Sequence, residues 1–200
     1  MNNFLPISLN QKIRELLSTR QKVRIQESSR KPSAVLIPIY FLNGQYFIIF
    51  TRRTELVHHH KGEISFPGGG YHPDDGNLLI TALRESYEEI GLLPEDVEIL
   101  GELDDFLTRG SNYIITPFVG VISPDYRFRL SDYEIAELIE IPVEKLLAEG
   151  CRREDPIELV GGRWVVPYVY AYQGKLITGA TARILKQFLE IYSQAAGLPL

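Results

Sequence analysis

Hydrophobic positions at the start of the chain predict a helix and then a β-hairpin. Apolar residues recur every three to four positions in residues 9–18, which is the spacing of an amphipathic helix. Residues 34–42 then form a nearly continuous apolar run, and residues 46–51 form another. The Asn43-Gly44 pair between them is typical of a tight hairpin turn.

The later part of the chain continues the mixture of strands and helices. Further strands are predicted at residues 97–107, 113–122 and 134–140, and a second hairpin at 157–160 and 163–172 around Gly161-Gly162. Helices are predicted at residues 77–90, 143–149 and 180–195, the last with a core stripe of Ile184, Leu185, Phe188, Leu189 and Tyr192. This order predicts an α+β fold with a mixed sheet between helices.

The helix predicted at residues 77–90 has clear boundaries. Asn77 is suited to the N-cap, Gly91 to the left-handed position that ends a helix, and Pro94 prevents it from restarting. We expect an apolar stripe along the helix, made of Leu79, Ile80, Leu83 and Tyr87. The helix follows Gly68, Gly69 and Gly70, which permit unusual backbone angles and close approach by other groups.

Three carboxylates on this helix are the strongest indication of chemistry. Glu85, Glu88 and Glu89 lie three and four positions apart, so they should converge on one face. Like charges at this spacing weaken a helix, and a divalent cation would remove the conflict. Because hard oxygen ligands suit Mg²⁺ or Mn²⁺, the pattern predicts a metal site that handles phosphates.

Residues 70–92 resemble the Nudix box, G-x5-E-x7-R-E-U-x-E-E-x-G-U, in which U is a bulky aliphatic residue. The matching positions are Gly70, Arg84, Glu85, Glu88, Glu89, Gly91 and Leu92. Gly76 replaces the first glutamate and Ser86 the first U, and Asp74 and Asp75 are candidates to replace the missing carboxylate.

The Nudix resemblance implies a fold, a reaction and a set of roles. The implied fold is an α/β/α sandwich, and the implied reaction is metal-dependent hydrolysis of a nucleoside diphosphate linked to another group. Glu85, Glu88, Glu89 and the Gly70 carbonyl would hold Mg²⁺ or Mn²⁺. Arg84 would orient the acids, partly by pairing with Glu88.

A second motif precedes the box and resembles that of coenzyme A pyrophosphatases, roughly L-L-T-x-R-S-x3-R-x3-G-x3-F-P-G-G. Thr51, Arg53, Gly62, Phe66, Pro67, Gly68 and Gly69 match, Thr54 replaces Ser, and His58 replaces Arg. Residues 111–120 and 179–182 are also similar to segments of that subfamily. The resemblance implies cleavage of coenzyme A or a derivative to 3′,5′-ADP and a 4′-phosphopantetheine species.

The remaining site residues are candidates of different kinds. Substrate-binding candidates are Arg53, His58, His60, Gly68, Gly69 and Arg109. Glu134, in a segment that resembles a family element, is the candidate general base, with Glu137 as a second choice. The run His58-His59-His60 is also open to interpretation as a metal cluster, although consecutive residues cannot all face one ion.

Composition sets the broad class of the protein. The chain of 200 residues has 44% hydrophobic residues, one cysteine and a net charge of −5, which indicates a cytoplasmic globular protein without a disulfide framework. We expect an N-terminal helical extension at residues 1–32 and a Nudix domain at residues 33–200. No membrane partner is expected, and a homodimer remains open.

Charge is distributed unevenly, which leaves a role for the N-terminus open. Residues 1–33 carry seven Lys or Arg and two Glu, whereas the remaining residues are strongly acidic. This segment is either a solvated amphipathic helix or a contact for phosphates or RNA, although the net charge makes nucleic acid an unfavourable partner. Alternative functions are hydrolysis of ADP-ribose, a dinucleotide or an oxidised nucleotide, nucleotide sensing without turnover, and RNA binding or decapping.

Overall fold

The fold has a mixed β-sheet with helices on both faces. The computed structural model describes residues 8–56, 61–108, 111–154, 157–159, 163–165 and 168–199. Its helices are α1 (Leu9–Thr19), α2 (Leu78–Ile90), α3 (Val143–Leu147) and α4 (Gly179–Ala196). Its strands are β1 (Lys31–Leu42), β2 (Gln45–Arg53), β3 (Ile64–Ser65), β4 (Gly68–Gly70), β5 (Glu98–Glu102), β6 (Phe106–Leu107), β7 (Tyr113–Val121), β8 (Ile135–Pro142), β9 (Arg152–Glu154), β10 (Ile157–Leu159), β11 (Arg163–Val165), β12 (Tyr168–Tyr172) and β13 (Lys175–Ile177).

The main sheet contains eight strands in a mixed arrangement. Its central order is β3-β2-β1-β7-β5, with β4 paired to β1, β6 to β7 and β8 to β2. Strands β1 and β7 are parallel, and every other described pairing in this sheet is antiparallel. The predicted hairpin at Asn43-Gly44 is confirmed, because β1 and β2 pair next to it and both residues have positive φ.

Alternate side chains of the sheet enter two cores. On one face, Ala34 and Leu36 pack with Ala82 and Ile90 of α2. On the other face, Ile37 and Ile39 belong to a cluster with residues of α1 and α4, including every residue of the stripe predicted for α4. The predicted α/β/α sandwich is therefore confirmed, and among the described helices α2 is the one that packs on the face of Ala34 and Leu36.

Two predicted strands are interrupted. The strand predicted at 97–107 divides into β5 and β6. The Leu103 amide still donates to the Pro117 carbonyl of β7, but the Asp105 amide donates to the Val23 carbonyl instead of to β7. In the second predicted hairpin, β10 and β11 do pair, but β12 pairs with β9 and β13 in a separate sheet. The predicted turn at Gly161-Gly162 lies outside the described residues.

The N-terminal segment packs onto the domain through apolar and charged contacts. Ile13 and Leu17 of α1 are buried in the core shared with α4. The basic side chains that follow α1 pair with acids near β5 and β6: Lys22 lies 2.8 Å from Glu102 and 3.0 Å from Asp105. Arg14 and Arg20 likewise pair with Glu98 and Asp104, and Arg24 with Glu102. The pairing favours the interpretation of this segment as a packed helix over that of a phosphate or RNA contact.

None of the helices in the described ranges has both the length and the apolar character that a membrane crossing requires.

Candidate active site

Helix α2 carries the acidic residues and begins and ends as its cap chemistry predicts. The Asn77 side chain accepts a hydrogen bond from the Ile80 amide, and Gly91 adopts a left-handed conformation with φ of 68°. The predicted apolar stripe is wrong in part, because Ile80 and Tyr87 are 44% and 52% exposed. The small residues Thr81, Ala82 and Ser86 are buried instead, so the helix lies close to the sheet.

Arg84 connects most of the acidic residues at this site. Its Nη1 atom donates to Glu85 at 2.8 Å and to Glu88 at 3.1 Å, which confirms the predicted pair with Glu88. Its Nη2 atom donates to the Gly70 carbonyl at 3.2 Å. One guanidinium group therefore orients two carboxylates and the glycine loop at once.

Asp75 supplies the carboxylate that Gly76 cannot. Its two oxygens accept hydrogen bonds from Arg84 Nε at 2.7 Å and Nη2 at 3.1 Å. The Arg84 guanidinium holds the pKa of the Asp75 carboxyl well below its ordinary value, helped by the His72 amide and the Thr81 hydroxyl and opposed by burial. Although Gly76 replaces the glutamate of the pattern, the Arg84 guanidinium still has a carboxylate partner in Asp75.

Glu89 faces the protein interior rather than the surface. It is only 2% exposed, and its carboxylate accepts hydrogen bonds from the Gly68 amide and from Arg53 Nη1, both at 3.2 Å. Burial raises the pKa of Glu89 to about 8, although Arg53 and the Gly68 amide lower it in part. The Glu85 and Glu134 carboxylates add to the rise, so negative charge accumulates around this residue.

Glu85 lies against the glycine loop. A Cβ atom on Gly69 would lie 2.5 Å from the Glu85 carboxyl group, and one on Gly68 would lie 2.3 Å from the Ala34 carbonyl oxygen. Glycine at these positions therefore lets the loop approach the helix and the sheet. Burial raises the pKa of Glu85, Arg84 opposes the rise, and the Glu88 and Glu134 carboxylates contribute to it.

Glu134 enters the site through Arg53. The Arg53 Nη2 atom lies 3.6 Å from the Glu134 carboxylate, while its Nη1 atom contacts Glu89. The structure therefore brings the candidate general base together with the acids of α2. We predicted Arg53 as a substrate contact, whereas its pairing with Glu89, 36 positions away, was not predicted. The second choice, Glu137, instead pairs with Arg52 and Lys175.

The donors at this site suit a hard divalent cation. Among the described residues, no group of three or more His, Cys, Asp or Glu side chains is already gathered as a metal shell. Glu85 and Glu88 nevertheless share one cationic atom of Arg84, and the pKa of Glu85 is raised by burial and, to a smaller extent, by the Glu88 and Glu134 carboxylates. Mg²⁺ commonly binds through one or two carboxylates plus water and substrate phosphates, so a closed shell is not needed.

Three predicted substrate contacts lie outside the described residues: His58, His60 and Arg109. The same holds for the proposed metal cluster at His58-His59-His60. Gly68, Gly69 and Gly70 line the described part of the site, next to Glu85 and Glu89. The Tyr113 ring lies beside Gly70, since a Cβ atom on Gly70 would be 3.7 Å from it.

Comparison with known proteins shows the family. Residues 30–166 match the NUDIX domain. A Photorhabdus laumondii protein named uncharacterized Nudix hydrolase NudL is 32% identical over 167 residues, which are 84% of this chain and 87% of that protein. A protein of the same name from Yersinia pestis is 34% identical over 163 residues, with 82% and 80% coverage.

Solved structures agree with this assignment at the level of the fold. A MutT/nudix family protein from Enterococcus faecalis aligns with a TM-score of 0.55 and 12% identity, covering 92% of this chain and 68% of that one. The MutT protein from Methanosarcina mazei Go1 aligns with a TM-score of 0.52 and 20% identity, covering 89% and 99%. The chain belongs to the Nudix hydrolase family and is an enzyme, a Nudix pyrophosphatase.

Proposed function

We propose that this enzyme hydrolyses the diphosphate of coenzyme A or one of its derivatives, with 3′,5′-ADP and a 4′-phosphopantetheine species as products. One observation carries the proposal. Two groups in the motif that resembles that of coenzyme A pyrophosphatases, the Arg53 guanidinium and the Gly68 amide, both donate hydrogen bonds to Glu89 of the Nudix box. The motif for this substrate class is thus part of the same site as the acids that carry the chemistry.

The metal in this proposal is Mg²⁺ or Mn²⁺. Glu85, Glu88, Glu89 and the Gly70 carbonyl are the residues that would hold it. When bound, the cation screens the charge of the diphosphate and lowers the pKa of a water molecule. Arg84 donates to Glu85, Glu88 and the Gly70 carbonyl, so three of these groups are held around one guanidinium.

Two side chains of the site have distinct proposed roles in the hydrolysis. Glu134 is 38% exposed, so it can reach water and act as the base that accepts the proton of the attacking molecule. The water oxygen bonds to one phosphorus, the bridging P–O bond breaks, and the second phosphate leaves. Arg53 lies between Glu134 and Glu89, where its positive charge offsets part of the negative charge of the two carboxylates.

A related substrate is the main competing proposal. A guanidinium binds phosphate through two hydrogen bonds and an imidazole does not, so His58 in place of the usual arginine is the observation that favours a shifted specificity toward ADP-ribose, a dinucleotide or an oxidised nucleotide. The glycine at position 76 does not support such a shift in specificity, because the Asp75 carboxylate pairs with Arg84. We propose a cytoplasmic enzyme that acts on small nucleotides, and the homodimer remains a prediction.

A substrate panel tests the proposal. Rates of hydrolysis would be compared for coenzyme A, acetyl-coenzyme A, ADP-ribose, NADH, diadenosine polyphosphates and capped RNA, each with Mg²⁺ and with Mn²⁺. The proposal expects the highest kcat/KM for coenzyme A or its acyl derivative. A higher value for ADP-ribose or a dinucleotide would replace the substrate assignment, and binding without turnover of any substrate would favour the nucleotide sensor.

A further inference from the structure

Thr54 follows Arg53 at the end of β2 and is buried against the segment that carries Glu134. Its amide donates to the Glu134 carbonyl at 2.9 Å, and its hydroxyl donates to the Tyr133 carbonyl at 2.6 Å. The same hydroxyl accepts a hydrogen bond from the Leu56 amide at 3.3 Å. Thr54 therefore holds two successive carbonyls of the chain at Glu134.

The opposite side of this segment is attached to α2. The Ser131 amide donates to the Glu89 carbonyl at 2.9 Å, and the Glu134 amide donates to the Ser131 carbonyl at 3.0 Å. A continuous series of hydrogen bonds therefore runs from the end of α2, through the backbone of Glu134, to Thr54, the residue that follows β2. Removing a member of this series should change the distance between Glu134 and the acids of α2.

The Glu134 side chain has weak anchors of its own. It is 38% exposed, and its contact with Arg53 is a long one at 3.6 Å. Exposed ion pairs of this kind contribute little to fixing a side chain. The position of the carboxylate consequently depends on the backbone that carries it, which is the part that Thr54 holds.

We infer that Thr54 is a positioning residue for catalysis, and that its hydroxyl fixes Glu134 at the distance from the α2 carboxylates that proton transfer requires. The inference rests on the proposed role of Glu134 as the general base. It goes beyond the motif match, which gives position 54 no role. Since Thr54 contacts carbonyls and an amide of its own chain, its loss should affect kcat more than KM.

The experiment is a double-mutant cycle between Thr54 and Glu134, with Mg²⁺ and the best substrate of the panel. Thr54→Val keeps the shape and removes the hydroxyl, and we expect kcat to fall about tenfold with KM within about twofold. Thr54→Ser keeps the hydroxyl and should retain most of the wild-type kcat. In the Glu134→Gln background, which should itself lose roughly a hundredfold or more in kcat, Thr54→Val should have no further effect.

Ser33→Ala is the matched control. Ser33 is buried on β1, outside both motifs, and its hydroxyl donates to the Ile114 carbonyl of β7 at 2.9 Å. We expect it to lower Tm about as much as Thr54→Val does while kcat stays within about twofold.

The outcomes separate the inference from the proposed function. An equal fall in kcat for Thr54→Val in both backgrounds would overturn the positioning role, because the effect would not pass through Glu134. Unchanged kcat in Glu134→Gln would overturn the role of Glu134 as the base, and the inference with it. Absence of turnover in the wild-type enzyme would instead be a failure of the proposed function.

Discussion

At the scale of single residues, Asp75 shows how the chain compensates for a missing carboxylate. Its bidentate contact with Arg84 is largely shielded from water, since Asp75 is buried. Two further donors, the His72 amide and the Thr81 hydroxyl, complete its hydrogen bonds. A buried carboxylate with this many donors is stable only while it is ionised, which links the stability of the protein to pH.

The change Asp75→Asn should lower the free energy of unfolding by about 2 kcal/mol near neutral pH. Because the folded-state pKa of Asp75 lies below its ordinary value of 3.8, its contribution is present above that value and is lost as pH falls further. The difference between wild type and variant should therefore shrink below about pH 4. Urea unfolding at several pH values measures this, and a difference that is constant with pH would contradict the account.

Gly76 gives a second prediction at this scale. Its φ of 72° disfavours side chains, although a Cβ atom there would meet nothing within 4 Å. Restoring the pattern's residue by Gly76→Glu should lower the free energy of unfolding by about 1 kcal/mol and should not raise kcat. Gly76→Ala is the control, with the same loss of stability. A gain in kcat for the glutamate alone would show that Asp75 is an incomplete replacement.

At the scale of elements, the site depends on the close approach of strand β4 to helix α2. Gly69→Ala would place a methyl group 2.5 Å from the Glu85 carboxyl group. Because that group is the end of a flexible side chain, the alanine should displace Glu85 rather than unfold the loop. We expect kcat to fall about tenfold or more with little change in Tm.

Gly70→Ala is the matched control for folding at the next position. Its Cβ atom would lie 3.7 Å from Tyr113, which is an ordinary contact, so its Tm should be close to that of the wild type. Circular dichroism melts and steady-state kinetics measure both variants. Wild-type kcat in Gly69→Ala would show that the contact with Glu85 does not matter for turnover.

Local features of α2 were predictable from the sequence, whereas the face it buries was not. Asn77 and Gly91 act through hydrogen bonds within a few residues, so their roles are visible in the sequence. The buried face depends on how closely the sheet approaches, and small residues such as Ala82 and Ser86 allow a closer approach than Ile80 and Tyr87 would.

The same division applies to the site. The contact of Arg84 with Glu88 lies within one helical turn and was predicted. The contacts of Arg53 with Glu89 and Glu134 join β2, α2 and the segment before β8, so they depend on the tertiary fold. For this reason the sequence indicated which residues carry the chemistry, but it did not indicate which residues of different elements contact each other.

At the scale of the whole molecule, the N-terminal segment contributes to the core of the Nudix fold. Ile13 is fully buried between the sheet and α4. The boundary at residue 32 between an N-terminal extension and the Nudix domain stays a prediction. Helix α1 nevertheless contributes residues to the hydrophobic cluster that the sheet forms with α4. Removal of residues 1–30 would therefore expose apolar surface as well as remove positive charge.

The change Ile13→Ala should lower the free energy of unfolding by about 3 kcal/mol, because it leaves a cavity in a packed core. Leu176→Ala is the control, since Leu176 is exposed and its truncation should cost less than about 0.5 kcal/mol. Chemical denaturation measures both changes. Equal, small effects would mean that α1 is a separate extension with no part in the stability of the domain.

Hydrolysis of coenzyme A by the acids of α2 links the fold, the site and the substrate. It is tested by chromatographic identification of the products from coenzyme A, with and without Mg²⁺, for the wild type and for Glu85→Gln. An exposed carboxylate in the turn after α2, changed by Glu95→Gln, is the control.

We expect equal amounts of 3′,5′-ADP and 4′-phosphopantetheine from the wild type, and only when Mg²⁺ is present. For Glu85→Gln we expect a reaction at least a hundredfold slower with the fold retained, and for Glu95→Gln a wild-type rate. Release of 3′,5′-ADP at the wild-type rate by Glu85→Gln would contradict the role of the α2 acids. Absence of 3′,5′-ADP while another nucleotide is hydrolysed would contradict the substrate.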